Sequence, residues 1–237
     1  MERDLEQRLR ELGTLEQFNR DMQRVKDDVR PVLTTLVAIG NKIHECGLQE
    51  EYVLYGGYGV LMHLVNALGT EAIPRWRGSS DIDLIGNERI VQALKGYFNV
   101  VSDRPSPNVK GKRTLRIKVD EAEKSIKLDM KFAEKPEEIA TVELYGLSIK
   151  VPTLLSQFKM KLRLERQLVR DNQDVLNLLG VYYLNKGSSA ELVGNLDMLE
   201  RKNLYRILTE GFIREEVLIE PDKRYLSSLK STLRRGL

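Results

Sequence analysis

Two stretches, Leu54-Tyr55-Gly56-Gly57 and Arg77-Gly78-Ser79-Ser80-Asp81-Ile82-Asp83-Leu84-Ile85, decide how this chain reads. Tyr52 to Tyr55 is a short β-rich run that stops at two glycines. An apolar stretch with helical spacing follows from about Tyr58 to Leu68, and Ser80 to Ile85 then alternates as a strand does. On a strand, positions i and i+2 project from one face, so Asp81 and Asp83 point one way while Ile82 and Leu84 point into a core.

Two carboxylates side by side oppose each other's ionisation unless a cation sits between them. Mg²⁺ suits such a place, because it takes one or two carboxylates together with phosphate oxygens. A solvent-facing strand end would carry the same two aspartates, so the pair gains meaning from the glycines. A strand that ends in Gly56-Gly57 just before a helix presents bare backbone N–H groups at the helix N-terminus, where phosphate binds. A tight turn alone would also use glycine there. Together, the order strand, glycine turn, helix, aspartate strand sets a phosphate cradle beside a metal pair, as phosphoryl and nucleotidyl transfer require.

A third carboxylate lies further on. In Ser125 to Phe132, Ile126, Leu128, Met130 and Phe132 take one face, and Lys127, Asp129 and Lys131 take the other. Asp129 could complete a metal site or accept a proton from an attacking hydroxyl. It could equally belong to an exposed ladder of alternating charges. Asp120, at a strand end, is the weaker candidate.

Working outward, residues 1–47 read as N-terminal helices, with Pro31 opening the second. Residues 48–151 read as a sheet domain with helices at 58–68 and 88–98 and strands at 52–55, 80–85, 114–119, 125–132 and 142–151. After Pro152 the apolar spacing is helical, in 153–169, 172–184, 189–210 and 222–234, giving a helical C-terminal domain over 152–237. The expected class is α+β.

In the second helical region, Lys159, Arg163, Arg166 and Arg170 fall at i, i+4, i+7 and i+11. One continuous helix would stack them on a narrow face, with Asp174 near its edge. Four stacked cations repel one another, and an anionic ligand would relieve them. Lys161 and Glu165 read as a structural pair on the apolar side, with Lys161 the alternative phosphate lysine.

The 237 residues include 41% hydrophobic and 31% charged ones, which suits a globular chain and excludes a disordered one. With 38 Lys+Arg against 35 Asp+Glu, the net +3 identifies no nucleic-acid partner, so the placement of charge matters more. One cysteine excludes an internal disulfide, and with two histidines it falls short of the four Cys and His ligands of the usual tetrahedral zinc site. The charged N-terminus lacks a signal-peptide pattern and no apolar run reaches bilayer length. The expected location is the cytoplasm, with no membrane partner.

The two glycine and aspartate blocks resemble polymerase-β-type nucleotidyltransferases, and within them the AbiEii/AbiGii toxin-like branch. That branch has a Gly-Gly turn, an arginine and a small hydroxyl residue before the D-x-D, and a third aspartate on a later strand. It also has a helical signature matched here by Lys159, Arg166 and Arg170-Asp171-Asn172-Gln173-Asp174. The resemblance covers about residues 54–180. Tyr58 stands where the branch has a small hydroxyl residue.

The resemblance implies transfer of NMP from an NTP with two Mg²⁺ ions at Asp81, Asp83 and Asp129. It implies nucleotide contacts at Gly56, Gly57, Tyr58, Arg77, Ser79, Lys159, Arg166, Asp171 and Asp174. It further implies links to toxin–antitoxin systems and to the 3′ end of tRNA. Arg104, Lys110, Lys112, Arg113, Arg116 and Lys118 offer an RNA-facing patch, and Lys223, Arg224, Lys230, Arg234 and Arg235 a second. The toxin reading implies an antitoxin as a further partner; the open alternatives are the same chemistry on a protein or small-molecule hydroxyl, and a catalytically silent nucleotide- or RNA-binding module.

Overall fold

A computed structural model describes residues 2–106, 110–118, 125–164, 169–210 and 217–237. The chain divides into two compact units, Met1–Pro152 and Thr153–Leu237.

The first unit is built on a mixed sheet of β1 (Val53–Tyr55), β2 (Asp81–Ile85), β3 (Val100–Pro105), β4 (Lys112–Lys118) and β5 (Ser125–Lys131), in the order β1-β2-β5-β4-β3. Only β2 and β5 run parallel; the other pairings are antiparallel. Alternation gives the sheet two unlike faces. One carries Leu54, Ile82, Leu84, Leu115, Ile117, Leu128 and Met130, all fully buried. Helix α3 (Arg30–Glu45) packs on β2 and β5 and against α5 (Glu88–Tyr97). α5 contributes Ile90, Val91 and Leu94 and is capped by the Asn87 side chain, which accepts from Ile90 N–H. Helix α4 (Gly56–Leu68) is buried from Gly57 to Val65.

Where the structure departs from the sequence reading, local chemistry gives the reason. The N-terminal region forms three helices rather than two: α1 (Glu2–Glu11), α2 (Leu15–Arg24) and α3. The break after α1 follows Gly13, at φ +70°. Strand β3 was not anticipated; it is an edge strand whose polar residues hide the alternation.

The run 142–151 is not one strand. It belongs to a hairpin of β6 (Ile139–Leu144) and β7 (Leu147–Pro152) that turns at Tyr145-Gly146, with φ of 51° and 78°. Tyr145 accepts this left-handed backbone because its side chain is anchored. Its ring packs edge-on against Phe18 and its hydroxyl donates to Asp21 Oδ2 at 3.0 Å. Thr14 Oγ1 also donates to Tyr145 O at 2.9 Å.

The second unit contains α6 (Leu154–Leu162), α7 (Val169–Leu184), α8 (Ser189–Gly194), α9 (Met198–Thr209) and α10 (Lys223–Arg235). The expected helix over 153–169 ends at Leu162, where Asn203 Nδ2 donates to the carbonyl of Leu162 at 2.8 Å. The expected helix over 189–210 breaks before α9, which starts in a capping box formed by Asp197 and Glu200. No helix among the described residues is long and apolar enough to cross a membrane.

Candidate active site

The polar face of the sheet gathers the three aspartates predicted to hold metal. Strand pairing sets Asp83 opposite Asp129 and Asp81 opposite Lys127, while Thr114 of β4 lies opposite Asp129. One oxygen from each of Asp81, Asp83 and Asp129 lies within 4.8 Å of the other two. Three hard oxygen donors that close suit a divalent cation of the Mg²⁺ or Mn²⁺ kind.

The glycine turn is shaped by the same carboxylates. Gly56 has φ +67°, and a Cβ there would lie 2.1 Å from Asp83 Oδ2. Both the backbone and the carboxylate therefore require glycine. A Cβ on Gly57 would meet Ser79 Cβ and Oγ at 3.1 Å, so the start of α4 sits against the segment that leads into β2.

That segment is held from below. Gly78 has φ +85° and lies against Val29, with no room for a Cβ. Ser79 Oγ donates to Asp81 Oδ1 at 3.1 Å. Tyr58 is fully buried, stacks on Trp76 with ring centroids 5.0 Å apart, and donates its hydroxyl to Ser79 O at 3.2 Å. Tyr58 thus supports the Ser79 segment rather than presenting a surface to solvent. Arg77 lies over the Trp76 ring, 5.4 Å from its centroid, and donates to the carbonyl of Gly78.

Asp129 is the most buried of the three, with its side chain 3% exposed. Burial alone would raise its pKa, but hydrogen bonds from Lys112, Lys127 and Thr114 outweigh it and hold the carboxyl below the ordinary carboxylate range. Thr114 Oγ1 donates to Oδ1 at 2.7 Å, and Lys112 and Lys127 Nζ lie 2.6 and 2.7 Å from Oδ2. Lys127 Nζ is also 3.5 Å from Asp81 Oδ2. Burial and the nearby Asp83, Asp129 and Asp81 raise the Tyr55 hydroxyl's pKa, which keeps it neutral. Lys127, two residues before Asp129 on β5, was placed on its face but not read as a site residue, and only strand register brings Thr114 and Lys112 of β4 to Asp129.

The basic run at 104–118 separates by face. Arg104, Lys112, Arg116 and Lys118 lie on the triad's side of the sheet, by register with Thr114, Lys131, Lys127 and Ser125. Arg113 turns the other way and pairs with Asp103 and Glu88.

In the second unit the predicted residues fall differently. Arg166, Glu165 and, in the first unit, Asp120 lie outside the described residues. The cationic stripe does not form as one helical face, because α6 ends at Leu162, between Lys159 and Arg163; Arg163 pairs instead with Asp197 and Glu200 at the start of α9. Asp171 and Asp174 are buried and meet Lys161, whose Nζ is 2.7 Å from Asp174 Oδ2 and 3.4 Å from Asp171 Oδ1. Lys159 is half-buried on α6.

Comparison with known proteins adds the fold. No protein-family model and no curated relative matches the chain. Among solved structures, JHP933 from Helicobacter pylori aligns with TM-score 0.54 at 14% identity, over 89% of this chain and 92% of its own. A second H. pylori chain, described as a candidate nucleotidyltransferase, aligns with TM-score 0.54 at 13% identity, over 89% and 95%. The chain has a nucleotidyltransferase fold. In this chain Asp81 and Asp83 of β2 and Asp129 of β5 lie on one face of the sheet.

Proposed function

We propose that this chain is a divalent-metal-dependent nucleotidyltransferase that moves NMP from an NTP onto a hydroxyl of RNA, with the 3′ end of tRNA as acceptor. The observation that carries the reading is the convergence of Asp81, Asp83 and Asp129 within 4.8 Å beneath a glycine turn that admits no side chain. A cation held by these residues would neutralise charge developing on the α-phosphate and its leaving pyrophosphate.

The chain's own residues supply the rest. The acceptor oxygen bonds to the α-phosphorus as the bond from that phosphorus to the oxygen bridging the α- and β-phosphates breaks, and pyrophosphate leaves. Asp129 Oδ2, kept ionised by its lysines, accepts the hydroxyl proton. Backbone N–H groups at the start of α4 would bind phosphate oxygens.

The RNA acceptor is favoured by the cations Arg104, Lys112, Arg116 and Lys118, which share the triad's face and suit a phosphodiester backbone. Resemblance to the AbiEii/AbiGii branch supports assigning Arg77, Ser79, Lys159, Arg166, Asp171 and Asp174 to nucleotide binding. It also supports a growth-inhibiting role restrained by an antitoxin.

Incubation with each α-labelled NTP, Mg²⁺ and total tRNA tests this directly. Label that migrates with tRNA and vanishes on 3′-end blocking supports the proposal. Label on a protein or a small molecule instead would remove RNA as the acceptor.

A further inference from the structure

The transfer chemistry above uses Lys127 only through Asp129, yet its side chain also reaches a second carboxylate of the triad. It rises from β5 on the same face as Asp129 and spans carboxylates from two strands. Its Nζ is 2.7 Å from Asp129 Oδ2 and 3.5 Å from Asp81 Oδ2. Lys112 approaches only Asp129 among the triad. Asp129 therefore has two ammonium groups beside one oxygen, whereas the contact to Asp81 belongs to Lys127.

We propose that Lys127 is an internal counter-ion of the triad that competes with the divalent cation, so that metal loading requires its ammonium to leave Asp81. This inference rests on the metal-dependent reading above. A monovalent ammonium and a divalent ion held by the same carboxylates repel at a few ångströms, and partial burial weakens the screening between them. Lysine suits the exchange: its charge is compact, its stem has four flexible carbons, and the Lys127 side chain is 38% exposed. It can swing to water or to a phosphate without unfolding the strand.

Two consequences follow from the geometry. Without metal, the carboxylates do not face one another uncompensated, so the sheet forms before loading. With metal alone, affinity is held down, and a nucleotide that brings its own cation also brings phosphates to receive the released ammonium.

Calorimetric titration with Mn²⁺ alone, in the absence of nucleotide, tests the inference on the intact chain. Lys127→Met is expected to bind Mn²⁺ about tenfold more tightly than the wild type. Lys127→Arg, which keeps the charge, is expected to stay near the wild-type value. Lys127→Gln serves as a second neutral variant if Lys127→Met folds poorly, and thermal melting in EDTA and in Mn²⁺ gives an independent readout. The neutral variants should gain more melting temperature from Mn²⁺ than the wild type does. An unchanged or weaker Mn²⁺ affinity in both neutral variants overturns this inference while leaving the metal reading intact. Absence of Mn²⁺ binding in the wild type and in both neutral variants overturns the metal reading, and this inference with it.

Discussion

Gly56 is where the site tolerates least change. A methyl group there would need a left-handed backbone at φ +67° and would overlap the Asp83 carboxylate. Gly56→Ala is expected to cost about 1–2 kcal/mol from the backbone alone and to displace Asp83, so that Mn²⁺ affinity falls as well. Urea denaturation and Mn²⁺ titration of the same variant check both effects. Thr114 makes a subtler case, since it touches only a proposed ligand. Thr114→Val keeps the shape but removes the hydrogen bond to Asp129 Oδ1. Turnover is expected to fall about 10–100-fold with the fold preserved, the usual range for a group that orients a metal ligand. Unaltered turnover in steady-state kinetics would show that Asp129 does not depend on this contact.

At the scale of elements, α4 carries a histidine that links stability to pH. His63 is buried, and its Nε2 lies 3.0 Å from Pro152 O. Burial lowers its pKa from 6.5 to about 4, against the opposing effect of that hydrogen bond. Between those values the unfolded chain binds a proton that the folded chain does not. Stability attributable to His63 is therefore complete above pH 6.5 and is lost as pH falls towards 4, by on the order of 3 kcal/mol. Urea midpoints measured across that range should slope less steeply for His63→Gln than for the wild type. The β6–β7 turn offers a second check. Tyr145→Phe leaves the buried Asp21 without its 3.0 Å donor and is expected to cost about 1–3 kcal/mol in the same assay.

Elements also differ in how well the sequence announced them. Strands β2 and β5 alternate cleanly, so both the D-x-D pair and the polar placement of Asp129 were readable from residue order. Their pairing was not, because parallel neighbours separated by β3 and β4 leave no local mark. The β4–β5 register was not readable either, so Lys112 and Thr114 went unrecognised as groups around Asp129, whereas Lys127 was already on its face. The cationic stripe failed for a related reason: the apolar periodicity continues past Leu162, but the helix stops there, where Asn203, 41 positions away, donates to the Leu162 carbonyl. The Tyr145-Gly146 turn was hidden because tyrosine is not a usual turn residue; its anchors, Asp21 and Phe18, lie far back in the chain.

For the molecule as a whole, the net charge of +3 is uninformative, and its distribution is what matters. Arg104, Arg116 and Lys118 are exposed and share the triad's side of the sheet. If they meet an RNA backbone, tRNA affinity should fall steeply with salt. Arg116→Glu with Lys118→Glu should then weaken binding and reduce the salt slope by about 2, or roughly one per lost contact. Filter binding across a salt series measures it, and a slope equal to that of the wild type would place the RNA elsewhere.

The central claim is that Asp81, Asp83 and Asp129 support attack at an α-phosphate. Parallel reactions with α-labelled and γ-labelled NTP in Mg²⁺ test it most directly. The prediction is that α-label joins the acceptor while γ-label leaves in pyrophosphate, and that Asp81→Asn with Asp83→Asn abolishes both. Transfer of the γ-label to the acceptor, or α-label transfer that survives the double substitution, would contradict it.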